Sequence, residues 1–71
     1  MKITYDKSVD AAYIYLAETS EKVASTYLCD PKEAGMINLD FDKNKILIGI
    51  EILDAAKTLS KEILEQAEII G

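Results

Sequence analysis

Acidic side chains come closest, among the residues of this sequence, to a metal-binding or catalytic pattern. Asp40, Asp42 and Asn44 alternate along the chain, and Glu51 follows at the twelfth position of the same run. This is the spacing of the oxygen ligands in an EF-hand calcium loop. The sixth position of such a loop needs a glycine, but here it is Lys45, and both flanks alternate like β-strands. We therefore predict that this run is not a calcium loop.

The same region allows a second interpretation, a carboxylate patch. Four side chains could gather on one surface and bind Mg²⁺ or supply a general acid and base: Asp40, Asp42, Glu51 and Asp54. The chain has no histidine or arginine to complete such a site, so a solvated acidic face is the simpler interpretation. We predict no catalytic residue, no metal site and no cofactor. A metal-dependent hydrolase or metal-binding protein remains the alternative hypothesis.

Two residues of the isoleucine-rich segment over 46–53 need a structural explanation. Glu51 interrupts an apolar run, so its carboxylate needs solvent or a hydrogen-bond partner, for which Lys2, Lys45 or a tyrosine hydroxyl are candidates. Gly49 weakens the middle of a strand unless a bulge or a large side chain packs there. We expect a tyrosine ring or the helix to lie across Gly49.

Composition excludes several classes of function. The chain has 71 residues with 8 basic and 13 acidic side chains, a formal net charge of -5 and no histidine. Nucleophile pairs that depend on histidine are therefore excluded. Neutralisation of phosphates supplies most of the affinity for nucleic acids, so we predict that this acidic chain binds none. The charge instead favours a basic protein as a partner.

Size and cysteine content point to a small cytoplasmic protein. We expect residues 1–71 to form a single domain, with no signal peptide and no membrane contact. The single cysteine, Cys29, cannot form an intramolecular disulfide, and we expect it to be an apolar filler. Chains this short are marginally stable without metals, disulfides or self-association. We therefore expect a homo-oligomer, with a dimer favoured.

Alternation of apolar and polar residues predicts an α+β fold. Strands are expected over residues 2–5, 12–17, 23–29, 37–41 and 46–53, with a polar turn at 18–22 and a loop at 30–35. The period changes to that of a helix over residues 59–70, where Ser60 is a suitable N-cap. The predicted architecture is an antiparallel meander of four or five strands with one C-terminal helix packed on one face.

The apolar pattern also predicts how the last two strands pair. Opposing Phe41 to Ile46 keeps the apolar side chains on one face and places Glu51 opposite Met36. Asn44 or Lys45 should then adopt a left-handed conformation in the turn.

One helix can cover only one face of this sheet, and we expect it to cover the face of Ile46, Ile48, Ile50 and Ile52. The other face still has apolar and aromatic side chains. We predict that this second face or its edge contacts another subunit or a partner, with these candidate interface residues: Tyr13, Tyr15, Met36, Leu47 and Leu53.

The segment over residues 48–55, which contains Gly-Ile-Glu-Ile-Leu-Asp-Ala, is the most distinctive in the chain. Together with Tyr5-Asp6 and residues 10–16, it resembles the family labelled domain of unknown function 2283. The resemblance covers nearly the whole chain and implies a small prokaryotic protein of this fold. It supplies no catalytic residue. Because some members lie beside genes that resemble toxins, it is also compatible with an antitoxin-like function.

These observations lead to one functional hypothesis. The predicted protein is an uncharacterised small acidic protein without enzymatic activity, an oligomeric module that binds another protein. The motivation is the net charge of -5, the absence of histidine and arginine, and the incompletely covered sheet.

Overall fold

The structure is a computed structural model that describes residues 1–17 and 22–71. Most of the turn predicted at 18–22 lies outside the described residues. Six strands are described: β1 (Lys2–Asp6), β2 (Ala11–Tyr15), β3 (Ser25–Leu28), β4 (Ile37–Phe41), β5 (Leu47–Leu53) and β6 (Glu68–Ile69). Three short helices accompany them: α1 (Pro31–Ala34), α2 (Ala55–Thr58) and α3 (Lys61–Gln66). The α+β class is confirmed, whereas the predicted number of strands and helices is wrong.

The strands form one mixed sheet in the order β3-β4-β5-β2-β1-β6. Neighbouring strands are antiparallel except β1 and β6, which are parallel. The predicted meander is wrong, because β2 pairs with β5 and not with β3. The physical reason is burial. The strands with apolar residues on both faces, β2 and β5, lie side by side in the middle of the sheet.

The pairing of β4 with β5 differs from the predicted register. Phe41 pairs with Leu47 and Asn38 pairs with Glu51, so the predictions that opposed Phe41 to Ile46 and Glu51 to Met36 are wrong. The ladder shifts by one residue between Asp40 and Phe41, as in a β-bulge. Over residues 37–40 the observed pairing differs from the predicted one by two residues. Side chains alternate between faces with a period of two, so these residues still lie on the predicted faces.

The turn between β4 and β5 accounts for this register. Asp42 N–H donates to the carbonyl of Ile46 at 2.9 Å, and Lys45 N–H donates to the carbonyl of Asp42 at 3.0 Å. Lys45 is left-handed, with φ of 64°, which confirms the prediction. The buried Asp42 carboxylate accepts hydrogen bonds from the N–H groups of Asn44 and Ile46 and holds the turn closed. A local turn, rather than the apolar pattern alone, thus sets the pairing.

The C-terminal segment is helical for only part of the predicted range. Ser60 is the N-cap of α3, as predicted, and its hydroxyl accepts a hydrogen bond from Ile63 N–H at 3.3 Å. The helix ends at Gln66 because Ala67 is extended and the chain then pairs with β1. The β-branched isoleucines at positions 69 and 70 favour this strand. The predicted loop at 30–35 contains α1, capped by Asp30.

The core lies between the sheet and the C-terminal helices. Ala12, Ile52 and Ala55 are fully buried, and a set of partly buried side chains packs against them: Tyr5, Ile14, Ile37, Ile50, Leu59 and Leu64. The strand residues of this set share one side of the sheet, which we call the covered face. The opposite side is the open face. Ile48 and Ile52 are buried as predicted, but Ile46 is 59% exposed beside the turn. No helix in the described ranges is long and apolar enough to cross a membrane.

Candidate functional site: the open face

Strand pairing arranges the side chains of the open face in rows across the sheet. One row contains Asn38, Glu51, Tyr13 and Thr4, and the next contains Asp40, Gly49, Tyr15 and Lys2. The centre of this face is therefore formed by tyrosines, carboxylates and an amide. The sequence analysis predicted Tyr13 and Tyr15 on this second face or its edge, but not how they contact the neighbouring polar side chains.

The Tyr13 ring lies over Gly49 and spans β5, from β2 to β4. A Cβ atom at position 49 would lie 2.5 Å from Tyr13 Cζ and 2.7 Å from Cε1, so any side chain there would collide with the ring. The prediction that a tyrosine or the helix covers Gly49 is confirmed. The ring ends in a hydrogen bond, because Tyr13 Oη donates to Asp40 Oδ2 at 2.5 Å.

Both carboxylates at the centre of the open face have hydrogen-bond partners on neighbouring strands. Asp40 also accepts a hydrogen bond from Thr26 Oγ1 at 2.7 Å. Asn38 Nδ2 donates to Glu51 Oε1 at 2.8 Å, so the predicted lysine or tyrosine partner of Glu51 is wrong. The amide is the partner because the observed register places Asn38 directly opposite Glu51. These bonds hold four strands in a fixed arrangement.

The environment of Tyr13 favours its protonated form. Burial raises the pKa of the Tyr13 hydroxyl well above its usual value, and the hydrogen bond to Asp40 raises it further. The negative charges of Asp40 and Glu51 act in the same direction. At neutral pH, Tyr13 is therefore a neutral hydrogen-bond donor and not a base or nucleophile.

The raised pKa of Tyr13 predicts a loss of stability at alkaline pH. Because the folded pKa lies above the unfolded value of 10.0, the contribution of Tyr13 is fully present below pH 10.0. It is lost as the pH rises from there through the folded pKa. Urea denaturation at about pH 8 and about pH 11 should show a smaller alkaline loss for Tyr13→Phe than for the native chain. The exposed Tyr27→Phe is the matched control, and an equal change in both variants would contradict the assignment.

Tyr15 and Lys2 form the margin of the open face. The rings of Tyr13 and Tyr15 lie with their centroids 4.7 Å apart at 54° to each other. Lys2 Nζ lies 5.7 Å from the centroid of the Tyr15 ring and 3.6 Å from Glu68 Oε2. An ammonium group is thus already accommodated by an aromatic ring and a carboxylate on this surface.

The five predicted interface residues lie in separate parts of the open face and its margins. Tyr13 and Tyr15 are at the centre and margin just described. Met36 and Leu53 line a cavity of about 450 Å³ beside Leu28, at the end of the sheet where α1 begins. Leu47 is partly buried next to the turn and pairs with Phe41.

The four candidate metal ligands do not meet. Asp40 and Glu51 bind neighbouring side chains, Asp42 holds the turn, and Asp54 lies at the start of α2. Across residues 1–17 and 22–71 there is no group of three or more side chains placed to hold a metal ion.

We expect divalent metals to leave the stability of the protein unchanged. Thermal melting with excess Ca²⁺, Mg²⁺ or Mn²⁺ should give the same Tm as melting with a chelator, because a ligand that binds only the folded state raises Tm. A rise with one metal that disappears in the double variant Asp40→Asn, Glu51→Gln would contradict this expectation and would support the alternative hypothesis.

Asp10 is a structural residue that the sequence did not single out. It is left-handed, with φ of 53°, in the turn between β1 and β2. Its Oδ1 accepts hydrogen bonds from Tyr5 Oη at 2.7 Å and from Ala56 N–H at 3.1 Å, and its carbonyl accepts one from Ala55 N–H. Asp10 therefore caps α2, whose adjacent residue Asp54 makes no side-chain cap. The hydrogen bond to Asp10 raises the pKa of Tyr5.

The fold and the open face define a small α+β protein in which a tyrosine ring crosses a glycine on a mixed sheet. The family model described as "Protein of unknown function (DUF2283)" matches residues 2–55, and the chain belongs to this family. No curated protein and no solved structure matches the chain. The matched range includes Tyr5, Asp10 and Gly49, so the resemblance seen in the sequence covers the packing and capping residues described above.

Proposed function

We propose that this protein is a non-enzymatic, self-associating module that binds another protein. Its surface is the observation that carries the proposal. The chain exposes 5155 Å², whereas a monomeric protein of 7.9 kDa typically exposes about 4400 Å². The excess of about 750 Å² is close to the roughly 800 Å² that each partner buries in a standard interface.

The small core supports self-association as well. Among the described residues, the buried apolar side chains are three alanines and two isoleucines: Ala12, Ala55, Ala67, Ile48 and Ile52. Large side chains such as Tyr27 and Leu28 remain more than half exposed. A second copy that covered such side chains would supply the burial that the monomer lacks.

The open face is the surface that we assign to a basic protein partner. Tyrosine is enriched at protein interfaces, and Tyr15 remains 41% exposed beside the carboxylates of Asp40 and Glu51. Lysine and arginine side chains can bind both kinds of group, as Lys2 does with Tyr15 and Glu68. The net charge of -5 would accelerate the encounter. An antitoxin that sequesters a basic toxin is one protein of this kind.

Fluorescence anisotropy with a labelled lysine- and arginine-rich peptide tests the assignment of the open face. We expect binding that weakens as salt is raised, because the contacts are electrostatic. Glu51→Gln should weaken binding several-fold, since it removes the charge but keeps an oxygen that accepts from Asn38. Glu65→Gln, on the exposed side of α3, is the control for net charge alone. Equal losses in both variants, or binding that salt does not weaken, would contradict the assignment.

A further inference from the structure

Strand β3 is an edge of the sheet that no other described residue covers. It is the terminal strand in the order, and all four of its residues, Ser25–Leu28, are exposed. Proteins normally protect such an edge with charged residues, proline, a bulge or a very short strand. β3 has no charged residue and no proline. The opposite edge, β6, has only two residues and is flanked by the ion pair between Lys2 and Glu68.

The backbone of β3 offers hydrogen bonds toward the outside. Cys29 N–H donates to the carbonyl of Ile37 in β4 at 2.9 Å. Because the hydrogen-bonding direction alternates along an antiparallel strand, Tyr27 and Ser25 also face β4, whereas Thr26 and Leu28 face away from it. Two successive outward N–H and C=O pairs are therefore positioned to bind another strand.

Apolar surface borders this edge on both sides of the sheet. Tyr27 is 61% exposed on the side of the covered face, and Leu28 is 68% exposed on the side of the open face. A cavity of about 370 Å³ is lined by Tyr27, Phe41 and Lys45, and the cavity of about 450 Å³ adjoins Leu28. Among the described residues, Leu28 and Tyr27 are two of the four most exposed large apolar side chains, and both belong to β3.

We propose that a second copy of this chain adds to β3 in antiparallel orientation across a two-fold axis, joining the two sheets into one. The arrangement that uses both outward-facing residues pairs Thr26 with Leu28 of the partner subunit and places the Tyr27 side chains opposite each other on the axis. This inference rests on the proposed self-association and specifies its surface. Facing tyrosines in a close, non-hydrogen-bonded pair would add aromatic contact to the new hydrogen bonds.

Charge complementarity selects the antiparallel orientation. Lys45 lines the cavity next to Ser25, at the start of β3, and Asp30 lines the cavity beyond Leu28, at its end. An antiparallel pair brings the basic end of each strand beside the acidic end of the other. A parallel pair would place like charges together at both ends.

Disulfide cross-linking tests this arrangement residue by residue. In a Cys29→Ser parent, Tyr27→Cys would place two thiols opposite each other, with Cα atoms about 4.5 Å apart, within the range of a disulfide. Thr26→Cys is the control, because in this register its thiol lies on the other face and opposite Leu28 of the partner subunit. Non-reducing electrophoresis after mild oxidation should show covalent dimer forming about tenfold faster, or more, for Tyr27→Cys than for Thr26→Cys.

The outcomes separate this inference from the proposed function. A parent that is dimeric by light scattering, with selective cross-linking at position 27, supports both. A dimeric parent with equal cross-linking at positions 26 and 27, or with none, overturns pairing through β3 and leaves self-association intact. A monomeric parent overturns both. Since Tyr27 is largely exposed, its substitution should leave the circular dichroism spectrum unchanged, which checks that the variant folds.

Discussion

Gly49→Ala should destabilise the protein by about 2 to 3 kcal/mol, although it adds a single methyl group. The new Cβ would lie 2.5 Å from Tyr13 Cζ, so the ring must leave its place over β5. Its hydrogen bond to Asp40 would then be lost. Chemical denaturation measures the change in the free energy of unfolding. A domain of this size has only about 3 to 5 kcal/mol of stability, so most of it would be lost.

A double-mutant cycle distinguishes this collision from a general intolerance of side chains at position 49. In a Tyr13→Ala background, the ring is absent, and Gly49→Ala should cost at least about 1 kcal/mol less than in the native chain. If alanine at position 49 costs the same with and without the ring, the packing of Tyr13 over Gly49 is not the reason for the glycine.

Asp10→Ala should cost about 1.5 to 4 kcal/mol, although Asp10 lies in a turn and not within a strand. The substitution removes the acceptor of the hydrogen bonds from Tyr5 and Ala56, a capping contribution of about 0.5 to 2 kcal/mol. It also places alanine at φ of 53°, where the left-handed conformation costs about 1 to 2 kcal/mol. Urea denaturation measures the sum.

Two further substitutions at position 10 separate these contributions. Asp10→Gly removes the carboxylate but adopts positive φ without strain, so it should cost less than alanine. Asp10→Asn tolerates the same backbone and keeps an oxygen that can accept from Ala56, so it should cost least. An order other than asparagine, glycine, alanine from the smallest to the largest loss would contradict the assignment of Asp10 as the cap of α2.

The elements that sequence alone predicted well are those whose type and bounds are determined by one local signal. Ile37–Phe41 was predicted with its exact bounds, because strict alternation over a half-buried strand has few alternatives. Ser60 was correctly predicted as an N-cap because a serine at the start of a helical periodicity is also a local signal. The C-terminal helix was predicted too long, because the helical periodicity of the sequence continues to Ile70. In the structure, residues 68 and 69 instead pair with β1 as a strand. That competition between a helix and a distant strand edge is a tertiary effect.

The candidate site was predictable only in part for a related reason. Gly49 in the middle of a strand was enough to predict an overlying ring, because few other reasons explain a glycine there. The partners of that ring and of Glu51 depend on which residues of β4 lie opposite β5. The turn around Asp42 sets this pairing. The predicted register was wrong by two residues, so it placed Met36 opposite Glu51, where the structure has Asn38. The capping role of Asp10 joins residues 46 positions apart in the chain, and local patterning contains no sign of it.

Light scattering coupled to size-exclusion chromatography tests most directly whether the exposed surface of this chain is completed by a second copy. At tens of micromolar, the native protein should elute with twice the chain mass of 7.9 kDa. Dilution should shift the equilibrium between monomer and dimer toward the monomer. A mass of 7.9 kDa at every concentration, from a sample whose circular dichroism shows it to be folded, would contradict the account.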